Sequence, residues 1–208
     1  MSYIPKDAVT QAFRSNKGVL TPNQIIELDN ENKFTKFGQL ELIQTQSASD
    51  VNNLDFQSIK EDIYNVHFVT VSNFHATGSS TSGGVRFFES GVLESGGVYH
   101  YAYQEQDVAL GTVTENKSTT STGTGIEYDF DPATPRNNYF YIYNAGDSTK
   151  YTFYTFHYAG INNSGIVYKF GSGVLPQTSV VDGFRIFSGS ATNNFDVDNV
   201  SLYGIRSF

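Results

Sequence analysis

The chain has no cysteine, no tryptophan, one methionine and five prolines in its 208 residues. Without cysteine there is no disulfide, no thiolate nucleophile and no cysteine-ligated metal. No apolar run approaches the ~18 residues that a membrane helix needs. The opening MSYIPKDAVTQAF lacks the apolar centre of a secretory signal, so the chain is expected to fold in a cytoplasm. Positive charge is also scarce. Thirteen Lys and Arg stand against 21 Asp and Glu, a net charge of −8, and such a surface repels phosphate. Neither nucleic-acid binding nor membrane insertion is expected.

What the chain has instead is aromatic residues and glycine: 14 Tyr, 17 Phe and 19 Gly. Tyr, Phe, Thr and Val suit pleated surfaces, and glycine suits the turns between them. Strands are predicted over Leu40–Gln46, Leu54–Ile59, Tyr64–Val71, Val85–Phe88, Val98–Gln104 and Asp107–Val113. Further strands are predicted over Asn138–Asn144, Tyr151–Tyr158, Ile166–Phe170, Phe184–Ser188 and Val200–Arg206. The polar stretches 76–84 (ATGSSTSGG) and 115–125 (ENKSTTSTGTG) read as surface loops. No repeat of 20–50 residues emerges, which speaks against a solenoid or β-helix. The expected fold is all-β: an antiparallel β-sandwich or barrel of roughly ten strands.

The first 37 residues are of another kind. They carry five basic residues against four acidic ones, so the acidity belongs to the remainder. Thr21-Pro22-Asn23-Gln24 has the order of a helix start, with Thr as N-cap, Pro at the first helical position and Gln at the third. Ile25, Ile26 and Leu28 follow as its apolar positions. Ala8, Val9, Ala12 and Phe13 also have helical spacing, and Asn16-Lys17-Gly18 breaks it. Two short helical pieces cannot make a core. Residues 1–37 are therefore read as an N-terminal arm that docks on another protein or straps the arm's own sandwich, and residues 38–208 as the sandwich.

The densest aromatic region is NYFYIYN, then AGDSTK, then YTFYTFHY, which reads as a hairpin. On the first strand Tyr139, Tyr141 and Tyr143 alternate with Phe140 and Ile142. Phe140 and Ile142 make the better core face, so the tyrosines are expected outside. A ring with a polar tip suits sugars and wet interfaces alike. Tyr139, Tyr141 and Tyr143, with Asn137 and Asn144 nearby, are the candidate glycan-binding residues. The return strand is aromatic on both faces, so each face needs something apolar to cover it. Tyr151, Phe153, Tyr154, Phe156 and Tyr158 are accordingly the candidate residues of an oligomer interface. Tyr99, Tyr101 and Tyr103 are expected in the core or an interface.

Glu127, Asp129 and Asp131 alternate with Tyr128 and Phe130, which puts three carboxylates on one face of an extended segment. Two readings stand for them: a structural Ca²⁺ site, or a solvated face. Asp196 and Asp198 lead into Val200-Ser201-Leu202, which resembles the closing strand of jelly-roll carbohydrate-binding modules. In those modules an acidic residue at this place supports a structural Ca²⁺. The alternative is that both simply precede a core strand. Apart from such an ion, no cofactor is expected. His67, His75, His100 and His157 form neither HxH nor HExxH, and no G-x-S-x-G elbow exists, so the chain is not expected to be an enzyme.

Several segments spread from end to end carry a wider resemblance. They include Ser2-Tyr3-Ile4-Pro5-Lys6, Gly18-Val19-Leu20-Thr21-Pro22-Asn23, Gly38-Gln39-Leu40-Glu41-Leu42-Ile43 and Ser58-Ile59-Lys60-Glu61-Asp62. Tyr64-Asn65-Val66-His67-Phe68, Gly173-Val174-Leu175-Pro176-Gln177-Thr178 and Val200-Ser201-Leu202-Tyr203-Gly204-Ile205 complete the set. In these the chain resembles small virion structural proteins of marine tailed phages, which implies a lectin-like, jelly-roll-like antiparallel β-sandwich of roughly ten strands behind a short N-terminal segment. The resemblance implies a structural protein of the virion surface, such as a decoration, fibre or tail-associated protein, held to other virion proteins by residues 1–37. It also implies a homo-oligomer, with a trimer favoured by the fibre and spike habit of such proteins. An adhesin for host-surface glycans is the alternative. The segments are structural signatures and bring no functional residue with them.

Overall fold

The computed structural model describes residues 21–30, 40–78, 81–126, 128–130, 134–162 and 165–205. The chain divides into two units, Met1–Phe37 and Gly38–Phe208, and each is described by itself. In the first, helix α1 spans Pro22–Asn30. Its start is a reciprocal capping box. The Thr21 backbone N donates to Gln24 Oε1 at 2.9 Å, and the Gln24 backbone N donates to Thr21 Oγ1 at 3.4 Å. Ile25 and Ile26 on the helix are exposed. The helical spacing at Ala8, Val9, Ala12 and Phe13 lies outside the described residues.

The second unit is all-β and antiparallel. Its strands are β1 (Leu40–Val51), β2 (Asn53–Gln57), β3 (Val66–Ala76), β4 (Thr81–Glu89), β5 (Val92–Leu93), β6 (Tyr99–Asp107) and β7 (Thr112–Ser121). There follow β8 (Tyr128–Phe130), β9 (Arg136–Tyr143), β10 (Thr152–Asn162), β11 (Gly165–Leu175), β12 (Val181–Ser188) and β13 (Phe195–Ile205). Eight of them form one sheet in the order β1-β13-β3-β9-β10-β11-β6-β7. The other sheet runs β2-β12-β4-β5, with β8 also paired to β4.

The pairing is nested. β1 pairs β13, β2 pairs β12, β3 pairs β9 and β4 pairs β8. A long hairpin wrapped so that successive strand pairs alternate between two sheets gives this pattern, which is an eight-stranded jelly roll. Two insertions enlarge it. β5–β7 enter between β4 and β8, and β10–β11 between β9 and β12, and four of these strands extend the larger sheet beyond β9.

The core lies between the sheets. Phe56 of β2 stacks on Phe184 of β12 at 4.7 Å between ring centroids, and Phe140 of β9 meets Phe184 edge-on at 5.5 Å. Phe87 of β4 packs against Tyr154 of β10 at 5.8 Å. Gly173 makes room for that tyrosine, because a Cβ there would collide with its ring. The Tyr154 hydroxyl donates to the His100 carbonyl at 3.2 Å. Tyr99 and Tyr103 are buried, and Tyr101 packs against the same core. Burial holds the Tyr99 and Tyr154 phenols well above their ordinary pKa.

Two sequence expectations are corrected. The stretch 115–125 is not a loop throughout: residues up to Ser121 belong to β7, and β4 opens within the other polar stretch, at Thr81. β7 is exposed along most of its length, so it has no buried face to impose an apolar alternation. The second correction concerns Asp107–Val113. Asp107 ends β6, and a turn follows in which the Leu110 N donates to Asp107 Oδ1 at 3.0 Å and Gly111 takes a φ of 63°. That left-handed glycine closes the β6–β7 hairpin.

Candidate functional site

β9 sets the geometry. Phe140 and Ile142 are fully buried, while Tyr139, Tyr141 and Tyr143 point out of the larger sheet, away from the core. The register carries the outward positions across neighbouring strands. One row runs Tyr203 (β13), Phe68 (β3), Tyr141 (β9), Thr155 (β10), Ser172 (β11) and Ala102 (β6). The adjacent row runs Thr70, Tyr139, His157, Phe170, Gln104 and Glu115, the last on β7.

Within these rows the rings touch in series. Phe68 lies 6.2 Å from Tyr203 and 4.7 Å from Tyr141. Tyr139 lies 5.8 Å from Phe68 and stacks on His157 at 5.2 Å with planes 10° apart. His157 reaches Phe170 at 6.1 Å. The series thus crosses five strands without a gap. Beyond it Phe153, Ile161, Ile166 and Tyr168 are also exposed. So much half-exposed ring surface on one face is what a contact site presents.

The face is grooved. A depression of about 320 Å³ lies among Asn137, Tyr139, His157, Ala159, Tyr168 and Phe170. A second, of about 460 Å³, shares Phe170 and is bordered by Ala102, Gln104, Glu115 and Lys117. A third, of about 550 Å³, shares Ala102 and Lys117 with it and reaches His100, Ser118 and Ser172. Together they form a shallow trough across β9, β10, β11, β6 and β7, aromatic at one end and polar at the other. Small residues, Ala159 and Ala102, keep its floor low.

The structure sorts the sequence candidates. Tyr139, Tyr141, Tyr143 and Asn137 all lie on β9, with Tyr139 38% exposed. Asn137 Oδ1 accepts the Asn73 backbone N at 3.1 Å, which leaves Nδ2 as the donor it can offer. Asn144 stands apart. Its φ is 63°, its Nδ2 donates to the Tyr151 carbonyl at 3.4 Å, and its work is to close the turn. Seven residue steps, roughly 23 Å of extended chain, separate it from Asn137, so one sugar ring cannot meet both.

Of the interface candidates, Tyr154, Phe156 and Tyr158 face the core and cannot contact a partner. Tyr154 is in register with Ile142 and Phe156 with Phe140, so the side that buries one pair buries the other. Tyr151 and Phe153 are on the surface, 44% and 47% exposed.

The acidic candidates are engaged otherwise. Asp196 Oδ1 accepts the Asp50 N at 2.7 Å, and its Oδ2 lies 3.5 Å from His75 Nε2. Asp198 Oδ2 accepts Asn73 Nδ2 at 2.7 Å. Among the described residues no three His, Asp or Glu gather as a metal group. Glu127, Asp131 and the Asp129 side chain lie outside the described residues. His67 is fully buried and donates from Nε2 to the Ile59 carbonyl at 2.9 Å. Burial lowers its pKa from 6.5 to about 4, and it is neutral at pH 7.

Sequence reading missed Phe68, His157, Tyr168, Phe170 and Tyr203 as parts of this face. The alternation Ile166, Tyr168, Phe170 on β11 was the available signal. The β9–β10 hairpin was readable and is present, but the pairing of β3 with β9 and with β13 was not, because it joins distant segments.

No protein-family model matches the chain, and no curated protein matches it. Among solved structures it is similar to fructofuranosidase from Schwanniomyces occidentalis complexed with fructose, at 8% identity and a TM-score of 0.32. A variant of that enzyme complexed with fructosylnystose gives 8% identity and a TM-score of 0.25. Each likeness covers 81% of this chain and 34% of the other, so the chain spans about a third of the enzyme's length. At such scores the likeness says nothing of what this chain does.

Proposed function

We propose that this chain is a non-enzymatic structural component of a phage particle that holds host-surface carbohydrate on the outer aromatic face of its jelly roll. The observation that carries the binding half is the gapless ring series from Tyr203 to Phe170 beside a shallow trough. Pyranose rings present apolar C–H faces that stack on such rings, and their hydroxyls meet donors and acceptors such as Asn137, Gln104 and Ser172. The virion half rests on the sequence segments quoted above, with residues 1–37 as the attachment segment.

Binding is favoured over hydrolysis by the trough itself. Among the described residues that line its three depressions, the carboxylate is Glu115, beside Lys117. Glycoside hydrolysis by paired carboxylates requires a second one across the scissile bond. An open trough binds weakly, with a dissociation constant of about 1 mM per site, or ~4 kcal/mol. Several copies on one particle raise the avidity.

The test is binding of the full chain to an array of bacterial surface polysaccharides, with Tyr139→Ala and Phe170→Ala beside wild type. Each substitution is expected to weaken binding about tenfold, near 1.4 kcal/mol. Undiminished binding by both variants, or none by wild type at millimolar glycan, contradicts the proposal.

A further inference from the structure

Sheet edges are where a β protein meets copies of itself, and this molecule treats its edges unequally. β5 and β8 have two and three residues, too short to template another strand, and β2 has five, half as many as β7. β1 is long, but its register with β13 shifts three times, and such bulges spoil an edge for pairing. β7 has ten residues, and its register with β6, unbroken from Thr112, shifts only beyond Ser118. It contains no proline, and its other side meets no strand among those described.

The charges on β7 are self-complementary. Thr112–Ser121 holds one acid and one base, Glu115 and Lys117, on either side of Asn116. Both border the second depression, opposite Gln104 and Ala102 of β6, so both lie on the outer face. If two copies pair antiparallel about a two-fold axis at Asn116, Glu115 stands directly opposite the partner's Lys117, and Lys117 opposite the partner's Glu115. Opposed residues in such a pair have Cβ atoms about 5 Å apart, within reach of an ion pair. A shift of two residues one way sets Lys117 opposite the partner's Lys117, and the other way Glu115 opposite the partner's Glu115, so like charges meet. A shift of one puts outer-face residues opposite inner-face ones. The charges therefore select a single register.

We propose that β7 is a homodimer edge: two copies of this chain join through it, in the Asn116-centred register, into one continuous sheet. This differs from the aromatic interface expected from sequence, whose Tyr154, Phe156 and Tyr158 belong to the core. It does not depend on carbohydrate binding. If both hold, the two outer faces lie on the same side of the joined sheet.

The test is sedimentation of the full chain across concentration. Wild type is expected to form a dimer. Glu115→Lys sets lysine opposite lysine at both positions and should weaken dimerisation at least about tenfold. The double variant Glu115→Lys/Lys117→Glu restores opposite charges with the order reversed, and should recover dimerisation to near wild type. Far-UV circular dichroism and urea unfolding of the single variant, expected to match wild type, show that it is folded. A wild-type monomer at roughly 100 μM, an association that Glu115→Lys leaves unchanged, or a double variant as weak as the single one would each overturn the proposal.

Discussion

Tyr139 and Phe140 are consecutive in β9, yet one is 38% exposed on the outer face and the other is fully enclosed between the sheets. Their truncations should therefore separate. Phe140→Ala leaves a cavity beside Phe184 and should cost about 3–5 kcal/mol in urea unfolding. Tyr139→Ala removes a surface ring and should cost less than about 1 kcal/mol while lowering carbohydrate binding. Equal losses of stability would mean that the outer rings serve packing alone. His67 allows a pH test. Its folded pKa, about 4, lies below the unfolded value of 6.5, so between these limits the unfolded chain binds a proton that the folded chain does not. Stability from this group is thus complete above pH 6.5 and declines as pH falls towards 4, by up to about 3 kcal/mol. Unfolding midpoints followed against pH should show a smaller acid loss in His67→Gln than in wild type. Parallel curves would contradict that assignment.

At the scale of elements, legibility in the sequence followed burial. β9 was readable because one face is core and the other is not, so its alternation survives in the residue order. The capping box of α1 was readable because Thr21, Pro22 and Gln24 act locally. β7 was not, since a strand wet along most of its length looks like a loop in composition. On β10 the strand was plain from the sequence but its division of labour was not. Rings on both faces satisfy the period of two equally, and only the register with Phe140 and Ile142 shows which face is core. The outward tyrosine row on β9 was likewise legible, whereas Phe68 and Tyr203 come from strands that meet it only in the fold. The arm makes its own prediction. Residues 38–208 form a separate unit, so removal of residues 1–37 should leave its urea unfolding nearly unchanged while abolishing incorporation into particles. Normal incorporation of the shortened chain would refute an attachment role.

On the scale of the whole molecule, insertion has reshaped a nested jelly roll. The pairs β1·β13, β2·β12, β3·β9 and β4·β8 complete the sandwich, and β10, β11, β6 and β7 enlarge one sheet past it. The added strands supply His157, Tyr168 and Phe170, together with Gln104, Glu115 and Lys117, so the insertions build most of the trough. The central claim is that carbohydrate lies on this face. Aromatic-labelled NMR of the full chain, titrated with host-surface oligosaccharides, tests it most directly. Shifts are expected at Tyr139, Tyr141, His157, Tyr168 and Phe170, with Phe56 and Phe184 of the core unmoved. Shifts confined to the five-stranded sheet, or none at several times the ~1 mM expected for half-saturation, would contradict the account.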